Sequence, residues 1–424
     1  MALESPGDQG NHPPHAHDSG VLDVVVLGGG GAGCAAIFRA QERTLNVLLI
    51  SKGDLSESKT AQAQGGIQAA MSPDDSPDSH FEDTMKAGKG MSDPALVKKL
   101  TSRAGDAVRW LESMGVRFDR EGADYRLQTA AGLSRPRVLS VGDTAGRGIV
   151  EVLLRELKRR AVPTLEHFVV HQVDRRQGGF EITGIQRGAE APTVLRTRSI
   201  VFATGSFIPR DKAAGLVKKL ESEAPDGLDL AGLLGAEIVH PDLVQYHPTG
   251  VVWPPSLRRK RLPETMRSSG AVFRNKHGEI FVNAMETRGV LTQAIVEECE
   301  KGNGIATEDG RQGVWLDTPA IDAQHGEGFT AERFPRFHAL FLEAGHDLTR
   351  HSVLVYPILH YSLGGVRIDE NAATSVHGVF AAGEVAWGVH GMERLMGNSL
   401  LDIFVFGQIA GISAAEYALK QRHV

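Results

Sequence analysis

The chain has 424 residues, 41% of them hydrophobic and 23% charged, with a formal net charge of −6. That length exceeds one compact core and predicts two domains. The charge balance leaves no electrostatic footprint for nucleic acid, and the two cysteines, Cys34 and Cys299, exclude a disulfide framework and suit a reducing, cytoplasmic setting.

Residues 1–20 are rich in Pro, Gly, His and Asp, with neither a basic start nor an apolar stretch. They read as a disordered tail rather than a secretory signal, with His12, His15 and His17 free of metal. The apolar run Val24–Leu27 then feeds into Gly28-x-Gly30-x-x-Gly33 and a helix start of small residues at Cys34–Ala36. Strand, turn and helix in that order are the context a dinucleotide fingerprint needs. Gly28 permits the tight turn, Gly30 lets backbone approach a pyrophosphate, and Gly33 lets the helix pack close to the strand. The helix N-terminus faces the phosphates with its free N–H groups. A second strand ends in Ser51-Lys52, where an NAD site places an acid for the ribose hydroxyls, so serine argues against NAD. Arg198–Gly205, closing on Ala203-Thr204-Gly205, and Val379–Val385, carrying Glu384, each read as a strand running into a glycine turn. Strand-turns so far apart in sequence suit a large cofactor held by distant segments, which points to FAD.

Pro94–Met114 and Val150–Arg160 carry apolar residues at helical spacing, and Phe168–Val173, Phe180–Ile185 and Thr193–Leu195 read as short strands beside the main sheet. The pattern predicts an open α/β sheet. From about Leu228 to Glu343 it gives way to scattered helices and Pro-rich loops, and after residue 352 strand, glycine turn and helix return. An inserted domain is therefore expected: 21–227 and 350–424 form the FAD-binding domain, and 228–349 an α+β unit between its halves. The basic cluster Arg258-Arg-Lys-Arg261 reads as a solvated loop. The apolar stretch near the C-terminus is interrupted by Asp402 and Gln408, so no integral membrane segment is expected.

Four short stretches gather His and Arg beside Gly and Pro: Gln245–Gly250, Leu262–Arg267, Pro357–Gly365 and His390–Leu401. A guanidinium matches a carboxylate bidentately, and imidazole adds donors near neutral pH. Together they suggest a pocket for a small polyanion. The His residues lack metal-ligand spacing, and no metal is expected.

These stretches, in this order, resemble the succinate dehydrogenase/fumarate reductase flavoprotein family, which includes the L-aspartate oxidases. The likeness runs through the glycine fingerprint, Ala63-Gln-Gly-Gly66, Asp78–Asp83, His247-Pro-Thr-Gly250, His360–Gly365, and Arg394 with Asn398-Ser-Leu-Leu401. It implies a split, Rossmann-like FAD-binding domain with a mobile capping domain, and a C4-dicarboxylate lying between flavin and cap. By that resemblance His247, His360 and Arg394 hold the substrate carboxylates. Arg288 matches the family's proton donor, and Glu264 and Arg267 its relay to solvent. Hydride passes from flavin N5. The resemblance assigns Gly28, Gly30 and Gly33 to the pyrophosphate, Ser51 and Lys52 to the adenosine, and Gln64, Gly65 and Gly66 to the flavin. The Ala203-Thr204-Gly205 turn also borders the cofactor, Glu384 meets the ribityl hydroxyls, and Asn398, Ser399 and Leu400 lie near the isoalloxazine.

Four departures qualify the likeness. Lys59 stands where membrane-complex members carry a flavin-linked His, so non-covalent FAD is expected. Pro263 replaces a Thr, removing one hydroxyl from a substrate carboxylate. Ala131 stands near the place where aspartate oxidases put a carboxylate for the substrate amine. No C-terminal helical domain, such as complex-bound members and aspartate oxidases carry, is expected beyond the last helix. The implied activity is fumarate reduction, with an electron-donor protein or quinone as partner. The alternatives are an L-aspartate oxidase-like enzyme making iminosuccinate and a non-catalytic flavoprotein that only transfers electrons.

Overall fold

The structure, a computed structural model, describes residues 20–142, 145–205 and 227–422. The tail expected at 1–20 lies, apart from Gly20, outside the described residues. The central strand β1 (Val21–Leu27) runs into helix α1 (Gly31–Gln41) and then β2 (Val47–Ile50). β1 pairs in parallel with β2 on one side and with the long strand β3 (Thr193–Phe202) on the other. Val24, Val25 and Val26 are fully buried, because a parallel sheet covered on both faces leaves no strand face for water. The first sheet runs Thr164–Leu165, β2, β1, β3, then the hairpin of Gly179–Gln186 and Phe168–Arg176. The start of β3 pairs with the hairpin, and its end pairs in parallel with Val379–Ala381 from far along the chain.

A second sheet is built between those two segments. Strand β4 (Val244–Trp253) lies antiparallel to β5 (Val353–Ser362), followed by Gln312–Asp317 and Val272–Arg274. Helix α2 (Arg288–Glu300) packs Leu291 and Ile295 with Phe273, Val314, Phe341 and Val355 in a core of its own. The inserted unit therefore differs in extent from the 228–349 read from sequence. Helix Gly227–Leu233 buries Leu228, Leu230 and Ala231 in the first core, and Ile238–Val239 pairs with Gly365–Arg367. β5, expected in the FAD-binding domain, belongs to the second sheet. The apolar run at 353–362 marks a strand; it carries no information about which sheet the strand joins.

The first unit closes with β6 (Val379–Ala381) and helix α3 (Asn398–Gln421). By length and composition α3 could cross a membrane, yet 67% of its apolar window is buried inside the protein. It lies on α1 so closely that a Cβ at Gly411 would stand 2.0 Å from the Ala36 carbonyl. Its apolar surface is spent on the core.

Candidate active site

The end of β1 is fixed by two backbone bonds of 2.8 Å, Gly28 N–H to the Ile50 carbonyl and Ala203 N–H to the Leu27 carbonyl. Gly28 turns with φ +111°, and a Cβ there would lie 2.2 Å from the Ala203 carbonyl; at Gly33 it would lie 1.8 Å from the Gly28 carbonyl. Both positions exclude any side chain. Gly30 differs. It caps α1 without a side-chain hydrogen bond, and its Cβ would meet nothing nearer than Thr60 Oγ1 at 3.5 Å. The protein itself leaves that space open at a helix N-terminus, which is a cradle for phosphate oxygens. At the neighbouring turn the buried Thr204 hydroxyl has no partner among the described residues, and Gly205 has φ +78°. An unpaired buried hydroxyl is rare in a folded protein and fits a polar ligand. These features suit the pyrophosphate of FAD.

Ser51, half-buried at the end of β2, accepts weakly from Gly53 N–H at 3.4 Å, and Lys52 is exposed beside it. Gln64 Nε2 donates to the Arg261 carbonyl at 3.3 Å, tying this segment to the inserted unit. Gly65 lies against Met396, and Gly66 turns with φ +87° beside the Leu139 carbonyl. Glu384 accepts from Lys59 Nζ at 3.0 and 3.1 Å and from Ser362 N–H at 3.0 Å. Asn398, fully buried, has its amide bonded to His80 Nε2 at 2.8 Å and Thr84 Oγ1 at 3.0 Å. The Leu400 side chain likewise faces the core. Ser399 accepts from Arg394 Nη1 at 3.2 Å.

The His and Arg stretches converge where the two units meet. Pairing of β4 with β5 sets His247 edge-on to His360, ring centroids 5.0 Å apart. Thr249 donates its hydroxyl to the Leu262 carbonyl at 2.8 Å and lies 3.0 Å from His247 Nδ1. Arg394 reaches in from the loop before α3, with Nη2 2.9 Å from His360 Nε2 and its guanidinium 4.7 Å above the Tyr361 ring. Arg261 Nη1 contacts the other nitrogen, His360 Nδ1. Burial and the surrounding arginines hold His247 and His360 well below the usual histidine range, so both rings are neutral at pH 7. Burial, then Arg288, pulls Arg394 down to about 9 and lowers Arg261 as well.

Arg288, Glu264 and Arg267 form a contiguous chain beside this cluster. Arg288 donates Nε at 3.0 Å to Glu264 Oε2, with Nη2 2.9 Å from the same oxygen. Arg267 Nη2 stands 3.2 Å from that oxygen without hydrogen-bond alignment. Its Nη1 donates to the carbonyls of Ala284 and Glu286. Burial alone would raise the Glu264 pKa, but Arg288, Arg267 and Arg394 outweigh it and hold the carboxyl below its ordinary range. Gln245 completes the chain: Oε1 accepts from Arg288 Nη1 at 2.8 Å, and Nε2 donates to Glu393 Oε1 at 2.9 Å and to the Arg394 carbonyl at 3.0 Å.

The structure thus brings His247, His360, Arg394, Arg288, Glu264 and Arg267 together. Sequence reasoning missed three members. Arg261 is half-buried and turned onto His360 rather than part of a solvated loop. Leu262 N–H bonds the Thr249 carbonyl at 3.0 Å, and this pins the segment to β4. Gln245 and Glu393 each sit beside a recognised residue, and the only signal they carried was that adjacency.

Residues 23–400 match the FAD binding domain family. Fold and site together define an FAD-dependent oxidoreductase. A fumarate reductase (CoM/CoB) component of Methanothermobacter marburgensis is 36% identical over 419 residues, covering 95% of this chain and 74% of the relative. An L-aspartate oxidase of Synechocystis sp. is 33% identical over 417 residues, covering 95% and 72%. The solved quinol fumarate reductase FrdA of E. coli superposes with a TM-score of 0.83 at 26% identity, covering 94% and 70%. The chain belongs to the succinate dehydrogenase/fumarate reductase flavoprotein family.

Proposed function

We propose that the protein reduces the double bond of a fumarate-like C4-dicarboxylate, using non-covalent FAD and electrons from a donor protein or quinone. One observation carries the reading. Arg261 and Arg394 converge on His360 beside His247, and among the described residues neither guanidinium has an ion-pair partner. A buried cation without a counter-charge is costly, and a polyanionic ligand supplies what the chain lacks.

His247, His360 and Arg394 hold the carboxylates. Gly28, Gly30 and Gly33 hold the pyrophosphate and Thr204 offers its unpaired hydroxyl; bound flavin supplies the hydride. Lys59, paired with Glu384, offers no imidazole for a covalent link. The Arg288 guanidinium gives the proton to the second carbon. Its loss removes the largest charge that depresses Glu264, so the carboxylate is then ready to pass a proton from the Arg267 side. The inserted unit acts as a cap: Gln245 and Gly289 from its side hydrogen-bond the Glu393–Arg394 loop from the other, which closes the site against water.

L-aspartate fits less well. Ala131 is buried and offers the substrate amine no carboxylate. The test is to reduce the flavin-loaded protein anaerobically, add fumarate, and follow the visible absorbance of oxidised flavin. Rapid return supports the reading. No return, with peroxide formed from L-aspartate and oxygen, overturns it.

A further inference from the structure

We propose that Arg261 is a specificity residue for a third oxyanion, so that the preferred substrate is a C4-dicarboxylate skeleton bearing an additional carboxylate. The inference rests on the dicarboxylate reading above and extends it.

A neutral imidazole has one acceptor nitrogen, and a guanidinium has donors only. Arg394 addresses His360 at Nε2 while Arg261 addresses it at Nδ1. Only one of those contacts can be a hydrogen bond, whichever tautomer the ring adopts. The two arginines differ in what else they have. Arg394 also donates to Ser399 Oγ and the Leu395 carbonyl, both at 3.2 Å. His360 is the one hydrogen-bond partner the Arg261 guanidinium has among the described residues. The nearest acidic influence on it, Glu384, is already held by Lys59 and by Ser362 N–H.

Two carboxylates of a C4 acid are matched by Arg394 with His360 and by His247 with the Arg288 side of the pocket. Arg288 and Arg267 share Glu264. Arg261 is then a further cation at the same ring, held in place rather than waving in solvent. Its carbonyl accepts from Gln64 Nε2 and its backbone bridges to Gly250. A fixed, half-buried cation with a single contested acceptor asks the ligand for another anionic group. The step itself balances as for fumarate: one alkene carbon gains a hydride from the reduced cofactor, the other gains a proton, and the cofactor loses two electrons.

The experiment is calorimetric titration of the flavin-loaded protein with propane-1,2,3-tricarboxylate and with succinate, alongside reoxidation of the reduced protein by trans-aconitate and by fumarate. The wild type is expected to bind the tricarboxylate at least about tenfold more tightly than succinate, and to prefer trans-aconitate in the same sense. Arg261→Gln is expected to weaken the tricarboxylate about 100-fold and succinate by less than about tenfold. Equal or tighter succinate binding in the wild type overturns the proposal and leaves the dicarboxylate reading standing. Equal losses in the variant also overturn it, showing that Arg261 serves a carboxylate common to both acids. If neither acid binds nor reoxidises the wild type, the dicarboxylate reading itself has failed. The wild-type preference needs no variant, so a poorly folding substitution cannot rescue the idea.

Discussion

Arg137 and Arg394 are both buried arginines of the first unit, and they sit in opposite electrostatic settings. Arg137 is fully buried and forks onto Asp75, Nε to Oδ2 at 2.8 Å and Nη2 to Oδ1 at 2.9 Å, with Nη1 donating to Asp83 and Nη2 to Ser79. Burial would depress its pKa, but the two aspartates overcome that and raise it. Arg394 is also buried, has no carboxylate partner among the described residues, and is pulled down to about 9. In one cluster the counter-charge is part of the chain, and the guanidinium fastens the loop before Val138 to helix Pro77–Gly88. In the other it must come from outside. A buried charge neutralised internally belongs to the fold, whereas one left unneutralised belongs to a ligand.

The largest test of that contrast is Arg137→Met. It leaves Asp75 and Asp83 without their counter-charge, with only the Ser76 N–H on the first and the Ser134 N–H and hydroxyl on the second, and breaking such a set typically costs about 3–5 kcal/mol. The midpoint of thermal unfolding should drop steeply even without substrate. Arg394→Met should do the reverse to the empty protein. Removing an uncompensated cation while keeping the volume should hold or raise the midpoint, and succinate affinity should fall by about 30-fold or more. A matched drop in stability for both variants would erase the distinction.

Acidification sharpens the same contrast. His80, His247 and His360 all have folded pKa values below the ordinary 6.5, His80 at about 4, each chiefly through burial. A histidine depressed in the native state binds fewer protons there than in the unfolded chain, so protonation favours unfolding. Their stabilising contribution is complete above pH 6.5 and is lost as the pH falls from there toward 4. A bound dianion beside His247 and His360 raises their proton affinity and should flatten that loss. Unfolding midpoints at pH 7, 6 and 5, with and without succinate, check both halves; equal slopes would separate these rings from the ligand.

How much of this was legible in the sequence follows the range of the physics involved. Gly33 was legible because its constraint is local, a Cβ colliding with the Gly28 carbonyl within one strand-turn-helix unit; Gly28 was legible through the same motif, although the backbone its Cβ would strike is the distant Ala203 carbonyl. His247 and His360 could be singled out, but their contact depends on the register of β4 against β5, which single-strand periodicity does not encode. The same gap misplaced the boundaries of the inserted unit. Arg261 was hidden for another reason. It ends a run of basic residues whose earlier members do meet solvent or surface acids, Arg258 pairing with Asp309, and composition cannot tell the one that turns inward. Asn398 shows what a motif does not carry: its side chain ties the start of α3 to helix Pro77–Gly88 through His80 and Thr84.

The smallest effect lies at the seam between the two settings, in Glu393. Its carboxylate accepts Gln245 Nε2 at 2.9 Å and the Gly289 N–H, 3.1 Å from Oε2 and 3.3 Å from Oε1. Both oxygens are therefore acceptors, and the second caps the first turn of α2, where an anion is favoured. Glu393→Gln turns one oxygen into an NH2 group. If that group faces Gln245, two donors meet, and Gln245 must flip, taking Oε1 away from Arg288 Nη1. If it faces Gly289, the cap is lost. Either way one bond near Arg288 is lost, on the order of 1.5 kcal/mol for a charge-assisted bond. Turnover should fall about tenfold with flavin content unchanged, and the first amides of α2 should exchange faster with solvent. Unaltered turnover with undiminished protection of Gly289 would mean that Arg288 is positioned by Glu264 alone, and that the clasp between the units contributes nothing to the chemistry.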